Sequence, residues 1–563
     1  MSGDSSYVEK LTMNDPGEHP DPHALCQSSC GDGFPTRPIS RRRMIGGCFA
    51  ALASLAVPRE SSSLFAADAG DANSWNLYWG DIHNHNECGL AKGTFGRAIE
   101  LARGHLDFWA ATGHAWWHDM PDLPKGGRQM FLNGFERHRK FWPRTRGLVE
   151  EVTDDKFCAI LGYEWHSSEF GDYCLLFPED NPQLYLPDHA NKLLDFAESR
   201  NGLAIPHHLA YQRGWRGANF EFHRTVTSPV VEVMSEHGCS MNLTSPHDFV
   251  RHSMGGRSSF NTVDRQLANG LRFGFVGSSD SHTGYPGAYG EGVVGLWAPD
   301  LSRASIFNAI RNRRTYATTG ERITVEFSIN DQPMGSEIPF DSAREIKVRV
   351  EGQDTVQSIE LVRNGRVIQR HFPEDDRSDV TLPGRAKCRI RYGWGPWAQF
   401  KSDRIALWEM NIALLGGKIR HAYPCFQHTP YSEEMLDHVE IRGDGSLHLI
   451  SPTARANSFE EDPTKSMVLD LEGPADAEVV VTTTKPRALR AAATLGYLSH
   501  DNKINFIGGF GEESFIIEKL VGPSEFGAKL TWKDESDSKG DWYYVRVTQT
   551  NGHQAWSSPI WVG

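Results

Sequence analysis

Residues 75–320 alternate short apolar runs with amphipathic segments. Phe95, Ala98, Ile99 and Ala102 recur at helical spacing, Gly104 offers a stop, and residues 106–111 read as a buried strand. The alternation returns at residues 158–163, in a helix over 193–199 followed by a strand over 203–205, and at 230–234. A further strand over 273–276 precedes a helix after Ser302 that carries Ile306, Phe307 and Ile310. Repeated strand and helix units predict a parallel sheet, open or closed into a barrel. After Arg322 the period changes to two, with Ile323, Val325, Phe327 and Ile329, then Ile346, Val348 and Val350, then Ile359 and Leu361. Asn364-Gly365 has the composition of a two-residue hairpin turn. The chain therefore divides into a leader over 1–72, a strand-helix segment over 75–320, a β-sandwich over 321–404 and 536–563, and a second β-rich unit over 405–535. The strand over 542–547 is expected to return to the first sandwich.

The leader has no apolar period over 1–39. Arg41, Arg42 and Arg43 then precede an apolar run over 44–57 and small residues at 66–69. That order is one of export, and the paired arginines resemble a twin-arginine signal, which implies a periplasmic or otherwise extracytoplasmic protein. Cys48 precedes most of the apolar run, which disfavours lipidation. The body has no apolar stretch of about 18 residues, so no spanning helix is expected.

Over 563 residues, 39% hydrophobic and 23% charged composition excludes global disorder. Acidic side chains outnumber Lys and Arg by 72 − 58 = 14, which disfavours nucleic acid as a partner. Nine Cys without a CxxC pair exclude a zinc ribbon.

Of 24 His, 15 lie between His83 and His282. Each apolar run ends in side chains able to hold a metal: Asp81, His83 and His85; His114; Glu164 and His166; His207 and His208; Glu232, Glu236 and His237; Asp280 and His282. His83 and His85 at i, i+2 share one face of a strand. Any one of these has a bland reading, a core histidine or a helix cap. Together they do not, because buried imidazoles and carboxylates are costly unless paired or metal-bound.

Gly80-Asp81-Ile82-His83-Asn84-His85, Thr112-Gly113-His114, Gly162-Tyr163-Glu164-Trp165, Ile205-Pro206-His207-His208 and Gly277-Ser278-Ser279-Asp280-Ser281-His282 resemble the successive motifs of the PHP superfamily of metal-dependent phosphoesterases. Residues 316–323 and 555–561 resemble a secreted, functionally uncharacterised branch of it. The resemblance implies an α/β fold: a distorted (βα)7 TIM-like barrel followed by β-sandwich-like modules. It also implies two or three divalent ions, of Mn, Zn or Fe. His83, His85, Glu164 and Asp280 or His282 would surround a metal pair bridged by Glu164, with His114 and His207 on neighbouring ions. Gly113 stands where the family usually has Asp, which removes a partner of His114. A third-metal His is not evident, and Asp172 or His166 are its candidate substitutes. His207 and His208 are adjacent and cannot both point inward from a strand, and His207 is preferred.

The implied activity is hydrolysis of a small-molecule phosphoester by a metal-bridged hydroxide, with ions about 3.5 to 4 Å apart. Arg213, Arg216 and His237 are candidates for stabilising and protonating the leaving group, although loop arginines beside Trp215 are equally read as solvated charges. A metallohydrolase of amide, ester or sugar bonds, or a noncatalytic carbohydrate- or surface-binding protein, are the alternatives. Trp394 and Trp397 are read as an aromatic loop, either bordering the pocket or simply packed.

Overall fold

A computed structural model describes residues 75–563 apart from 180–181, 250–253, 377–378, 396–403, 428–435, 444, 457–461 and 509–510. The expectations for the leader and for Trp397 lie outside the described residues. The described chain is mixed α/β, rich in sheet and sparing in helix.

The first segment carries β1 (Asn76–Asp81), β2 (Phe108–Ala111), β3 (His114–Trp117), β4 (Cys158–His166), β5 (Asp172–Phe177) and β6 (Leu203–His207). After these come β7 (Val230–Ser235), β8 (Gly238–Cys239), β9 (Gly274–Gly277), β10 (Val293–Ala298) and β11 (Thr315–Thr318). β1, β2 and β4 pair in parallel, as do β3 with β4 and β7 with β9. The sheet is nevertheless mixed, since β10 runs antiparallel to β1, and β5 to both β4 and β6. The connection from β4 to β5 is too short for a parallel crossover, which needs a dozen or more residues, and it closes as a hairpin through Gly171 at φ 84. β7, β8 and β9 form a separate three-stranded sheet, so the strands do not make one continuous seven-stranded ladder.

Helix Phe95–His105 starts where Thr94 accepts from Arg97 N–H, and it buries Phe95, Ala98, Ile99 and Ala102 as the periodicity predicts. It runs through Gly104 and ends only at Leu106. Helix Arg303–Arg311 is capped by Ser302 in the same way. Helix Gly127–Val152 was not anticipated; it buries Phe135, Trp142 and Val149 at seven-residue steps, around an internal Pro143. Among the described residues, no helix is long and apolar enough to cross a membrane.

In the β-rich region Thr324–Ile329 pairs with Ala343–Glu351, burying Val325, Phe327, Ile329, Ile346, Val348 and Val350 on alternate positions. Asn364 and Gly365 both take positive φ, 51 and 76, and close Val356–Arg363 onto Arg366–His371. Asp541–Gln549 pairs with Val356–Arg363, and the following strand Gln554–Ser557 pairs with β11. One 14-stranded sheet therefore runs from the first segment into the last strands of the chain.

Two five-stranded sheets, built on Gly384–Trp394 and on Ile405–Leu415, share a core that includes Ile390, Tyr392, Trp408, Met410, Leu469 and Val481. Gly384–Trp394, placed by sequence within 321–404, hydrogen-bonds with strands of this second unit. Gly527–Glu535, placed within 405–535, pairs with Ala343–Glu351. Leu101, Tyr285 and Ala288 of the first segment pack into the same core.

Candidate metal centre

The strand exits gather the predicted side chains. Asp81 itself does not face them. Its carboxylate accepts from the N–H groups of His83 (3.1 Å), Ser279 (3.2 Å) and Gly287 (2.7 Å) and from the Ser279 hydroxyl (2.5 Å). Burial pushes its pKa up to about 6 despite those bonds. Asp81 thereby ties the end of β1 to the exit of β9. Asn84 turns the other way, accepting from Trp109 Nε1 (2.6 Å) and donating to Ala110 O (3.0 Å). His83 and His85 are left on the common face that their spacing implies.

Glu164, fully buried on β4, is the hub. Oε2 lies 2.5 Å from His114 Nδ1 and 3.5 Å from His85 Nε2, and Oε1 lies 2.8 Å from His207 Nε2 and 3.2 Å from His166 Nδ1. Asp280 is the second hub: Oδ1 is 2.8 Å from His85 Nε2 and 3.2 Å from His83 Nε2, and Oδ2 is 3.3 Å from His237 Nε2 and 3.5 Å from His208 Nε2. Imidazole nitrogens also face one another, His83 and His85 at 3.2 Å and His114 and His282 at 3.0 Å. His282, 38% exposed, marks the side of the cluster nearest solvent.

Carboxylates hold the outer nitrogens. Glu232 Oε2 is 2.9 Å from His83 Nδ1 and Glu236 Oε1 is 2.7 Å from His282 Nδ1. Donation of the Nδ1 proton to these carboxylates leaves the Nε2 lone pair of each ring toward the cluster, as carboxylate partners of metal-binding histidines do. Burial raises the Asp280 carboxyl well above its usual range, with only partial relief from His83. Burial acts on Glu164 in the same sense, yet His166 and His114 hold it well below. Burial and neighbouring His114 push His85 well down. Burial opposes charge on His83, but Asp280 and Glu232 raise it well above the ordinary value.

Both His207 and His208 face the cluster, which corrects the expectation that only one could. His208 takes φ 52, a left-handed turn that brings its ring back to the same side; Asp280 does the same at φ 55. Arg213 is not brought in. It pairs with Glu221 at 3.1 Å on the surface, 49% exposed, because the turn through Gly214 (φ 82) points it away from Arg216. Arg216 enters instead. His237 is at the edge of the cluster, its Nδ1 2.9 Å from the Tyr211 hydroxyl. Gly113 has little room for a side chain, since a Cβ there would stand 3.1 Å from both Gly89 Cα and His138 Nδ1. His114 is held by His166 (2.8 Å) and His282.

Sequence reading missed Cys174. β5 places it opposite Glu164, and its sulfur groups with His83 and His207. Burial raises its thiol to about 12. Only the sequence of β5, unrecognised as a strand, could have pointed to it. Trp394 ends the strand Gly384–Trp394 in the second β-rich unit.

A family model described as a protein of unknown function (DUF3604) matches residues 288–332. An uncharacterized protein of Chlamydia trachomatis serovar D is 29% identical over 345 residues, covering 54% of this chain and 50% of that protein. One from Chlamydia muridarum is 25% identical over 340 residues, covering 53% and 49%. The chain thus spans about half the length of the curated relatives it matches. Among solved structures, a two-domain protein from Bacteroides vulgatus, described as containing a predicted PHP-like metal-dependent phosphoesterase, is 11% identical with a TM-score of 0.30, covering 75% of this chain and 95% of that one. PsfC from Pseudomonas syringae is 16% identical with a TM-score of 0.28, covering 43% and 91%.

Proposed function

We propose that this chain is a metal-dependent hydrolase whose substrates are small phosphoesters. The observation that carries the reading is the ligand set: two buried carboxylates ringed by imidazole nitrogens, in which Glu164 Oε2 and Asp280 Oδ2 make no hydrogen bond of ordinary geometry among the described residues although His114 Nδ1 and His237 Nε2 stand 2.5 and 3.3 Å away. Buried acceptors left open are expensive, and a divalent cation is the group that matches several oxygens and imidazoles at once. Groups such as His83, His85 and Glu164, or His85, His114 and His282, have ligand atoms within 4.8 Å of one another. The residues therefore fit two or three ions of Mn, Zn or Fe.

Glu164, His83, His85 and Asp280, together with His114, His207 and His282, would hold the ions. Ions held there supply Lewis acidity and lower the pKa of water toward neutrality. Glu232 and Glu236 fix the tautomers of His83 and His282. His237 holds a proton at the rim, between Tyr211 and Asp280, in position to pass it to a leaving alkoxide. No Ser or Cys nucleophile is required. We read the parallel strands as a distorted barrel of the PHP type, opened by the β4–β5 hairpin. The leader is read as a twin-arginine signal that sends the protein to the periplasm.

Elemental analysis of the purified protein, paired with hydrolysis of an aryl phosphate mono- and diester with and without chelator, tests the reading. Bound transition ions with chelator-sensitive phosphate release are expected. Bound metal without phosphate release would point to amide or ester bonds, and a metal-free protein would end the hydrolase reading.

A further inference from the structure

Side chains alternate along β5. Tyr173, Leu175 and Phe177 pack in the large apolar core, which leaves Asp172, Cys174 and Leu176 on the opposite face. On that face Leu176 belongs to the apolar cluster of Ile160, Leu203 and Ile205, whereas Asp172 stands 3.4 Å from His166 Nδ1 and 4.0 Å from His208 Nε2. Cys174 sits between the two. The register of the sheet decides its neighbours: it lies opposite Glu164 of β4 and opposite Ile205 of β6, so His207, two residues beyond Ile205, is its diagonal partner.

The ordinary role of a buried cysteine is that of a small apolar filler. Cys88, Cys158, Cys239 and Cys388 have that role, each inside an apolar cluster. Cys174 belongs to none of those clusters, although it is equally buried. Its Sγ and a ring nitrogen from each of His83 and His207 all lie within 4.8 Å of one another. His207 supplies a second observation: fully buried, it keeps Nδ1 without a hydrogen bond among the described residues. A buried polar atom left unmet is costly, and the two imidazoles and the sulfur together suit an ion better than they suit a packed core.

We propose that Cys174 is a sulfur ligand of the centre, joining His83 and His207 on one ion and directing that position to zinc. The inference rests on the metal reading above and deepens it by naming the ion. Two imidazoles and one sulfur make three protein ligands, the number that a catalytic zinc takes, and a soft sulfur favours zinc over manganese. On ligation the S–H bond breaks, its electron pair goes to the metal and the proton leaves to solvent.

The test is spectroscopic. The full chain is stripped with chelator, loaded with Co(II) and read by absorption, because sulfur-ligated cobalt has an intense near-ultraviolet charge-transfer band that nitrogen and oxygen ligands do not give. The band is expected in the wild type and is expected to vanish in Cys174→Ser at an unchanged circular dichroism spectrum. Bound cobalt without the band, or a band that survives in Cys174→Ser, overturns the proposal and leaves the metal reading standing; a chain that binds no cobalt overturns both. Should Cys174→Ser fail to fold, X-ray absorption at the zinc edge of the zinc-loaded wild type decides. A sulfur shell at about 2.3 Å is expected, and a shell of nitrogen and oxygen alone overturns the assignment. In competition the wild type should take up zinc ahead of manganese, and the reverse order would overturn the choice of ion.

Discussion

The molecule buries two sets of charges, and they are finished differently. At the seam between the first segment and the β-rich region, Glu321 accepts from Arg389, from the Tyr289 hydroxyl (2.9 Å) and from Asn551 Nδ2 (2.7 Å). Asp437 accepts from Lys465 Nζ on both oxygens (2.9 and 2.7 Å), from the Tyr285 hydroxyl (2.8 Å) and from the Ser451 hydroxyl. Every oxygen there has a donor. At the strand exits, Glu164 Oε2 and Asp280 Oδ2 make no hydrogen bond of ordinary geometry among the described residues, and what stands nearest them is imidazole nitrogen, His114 Nδ1 at 2.5 Å and His237 Nε2 at 3.3 Å. A buried carboxylate with a complete set of donors stabilises a fold once formed. One that faces imidazole nitrogens with an oxygen unmet is suited to a cation from outside.

The largest way to break that comparison is to remove the hub. Glu164→Ala should lower hydrolysis of an aryl phosphate by about a thousandfold or more while leaving the circular dichroism spectrum and the unfolding transition in place. Full activity in a folded variant would sink the assignment. At the seam the outcome should invert. Asp437→Ala leaves Lys465 buried without its partner and should cost about 3 to 5 kcal/mol in denaturant unfolding, with metal content per folded chain unchanged. A loss below 1 kcal/mol would mean that the seam is held by packing alone.

A titration sharpens the same contrast. Burial would raise the Glu321 carboxyl, but Arg389 and His553 hold it at about 2 against an ordinary 4.5. Because the folded value is the lower one, its contribution is fully present above pH 4.5 and is lost as pH falls toward 2, on the order of 3 kcal/mol in all. Glu321→Gln should flatten that part of the stability curve measured by urea unfolding; an unchanged slope would contradict it. The smallest effect belongs to the outer partners. Glu232→Ala frees the His83 ring and should weaken metal binding about 10- to 100-fold in chelator competition, without abolishing it.

What sequence could show follows from how local each feature is. His83 and His85 were legible because a strand fixes the direction of alternate side chains. The helix after Ser302 was legible because cap and periodicity agree. The paired inward turn of His207 and His208 depends on one left-handed residue, which no side-chain pattern encodes. Arg213 and Arg216 are equivalent on paper and are separated only by the turn through Gly214. Cys174 went unseen because β5 was not recognised as a strand, and its contacts come from pairing across the sheet. The long helix was missed because Gly134, Pro143 and Gly147 interrupt a stripe whose large members stand seven residues apart.

Gln554–Ser557 hydrogen-bonds with β11. Thr315 and Ser558 come within 3.4 Å across 243 positions of sequence. The ribosome therefore releases β11 long before its neighbour exists, and the strand must wait with one edge bare until the tail arrives. Assembly of the segment that carries the proposed ligands therefore waits for a strand made far later in the chain. A chain cut after residue 320 keeps every proposed ligand and exposes an unpaired strand beside them, so it should associate through that edge where the full chain does not.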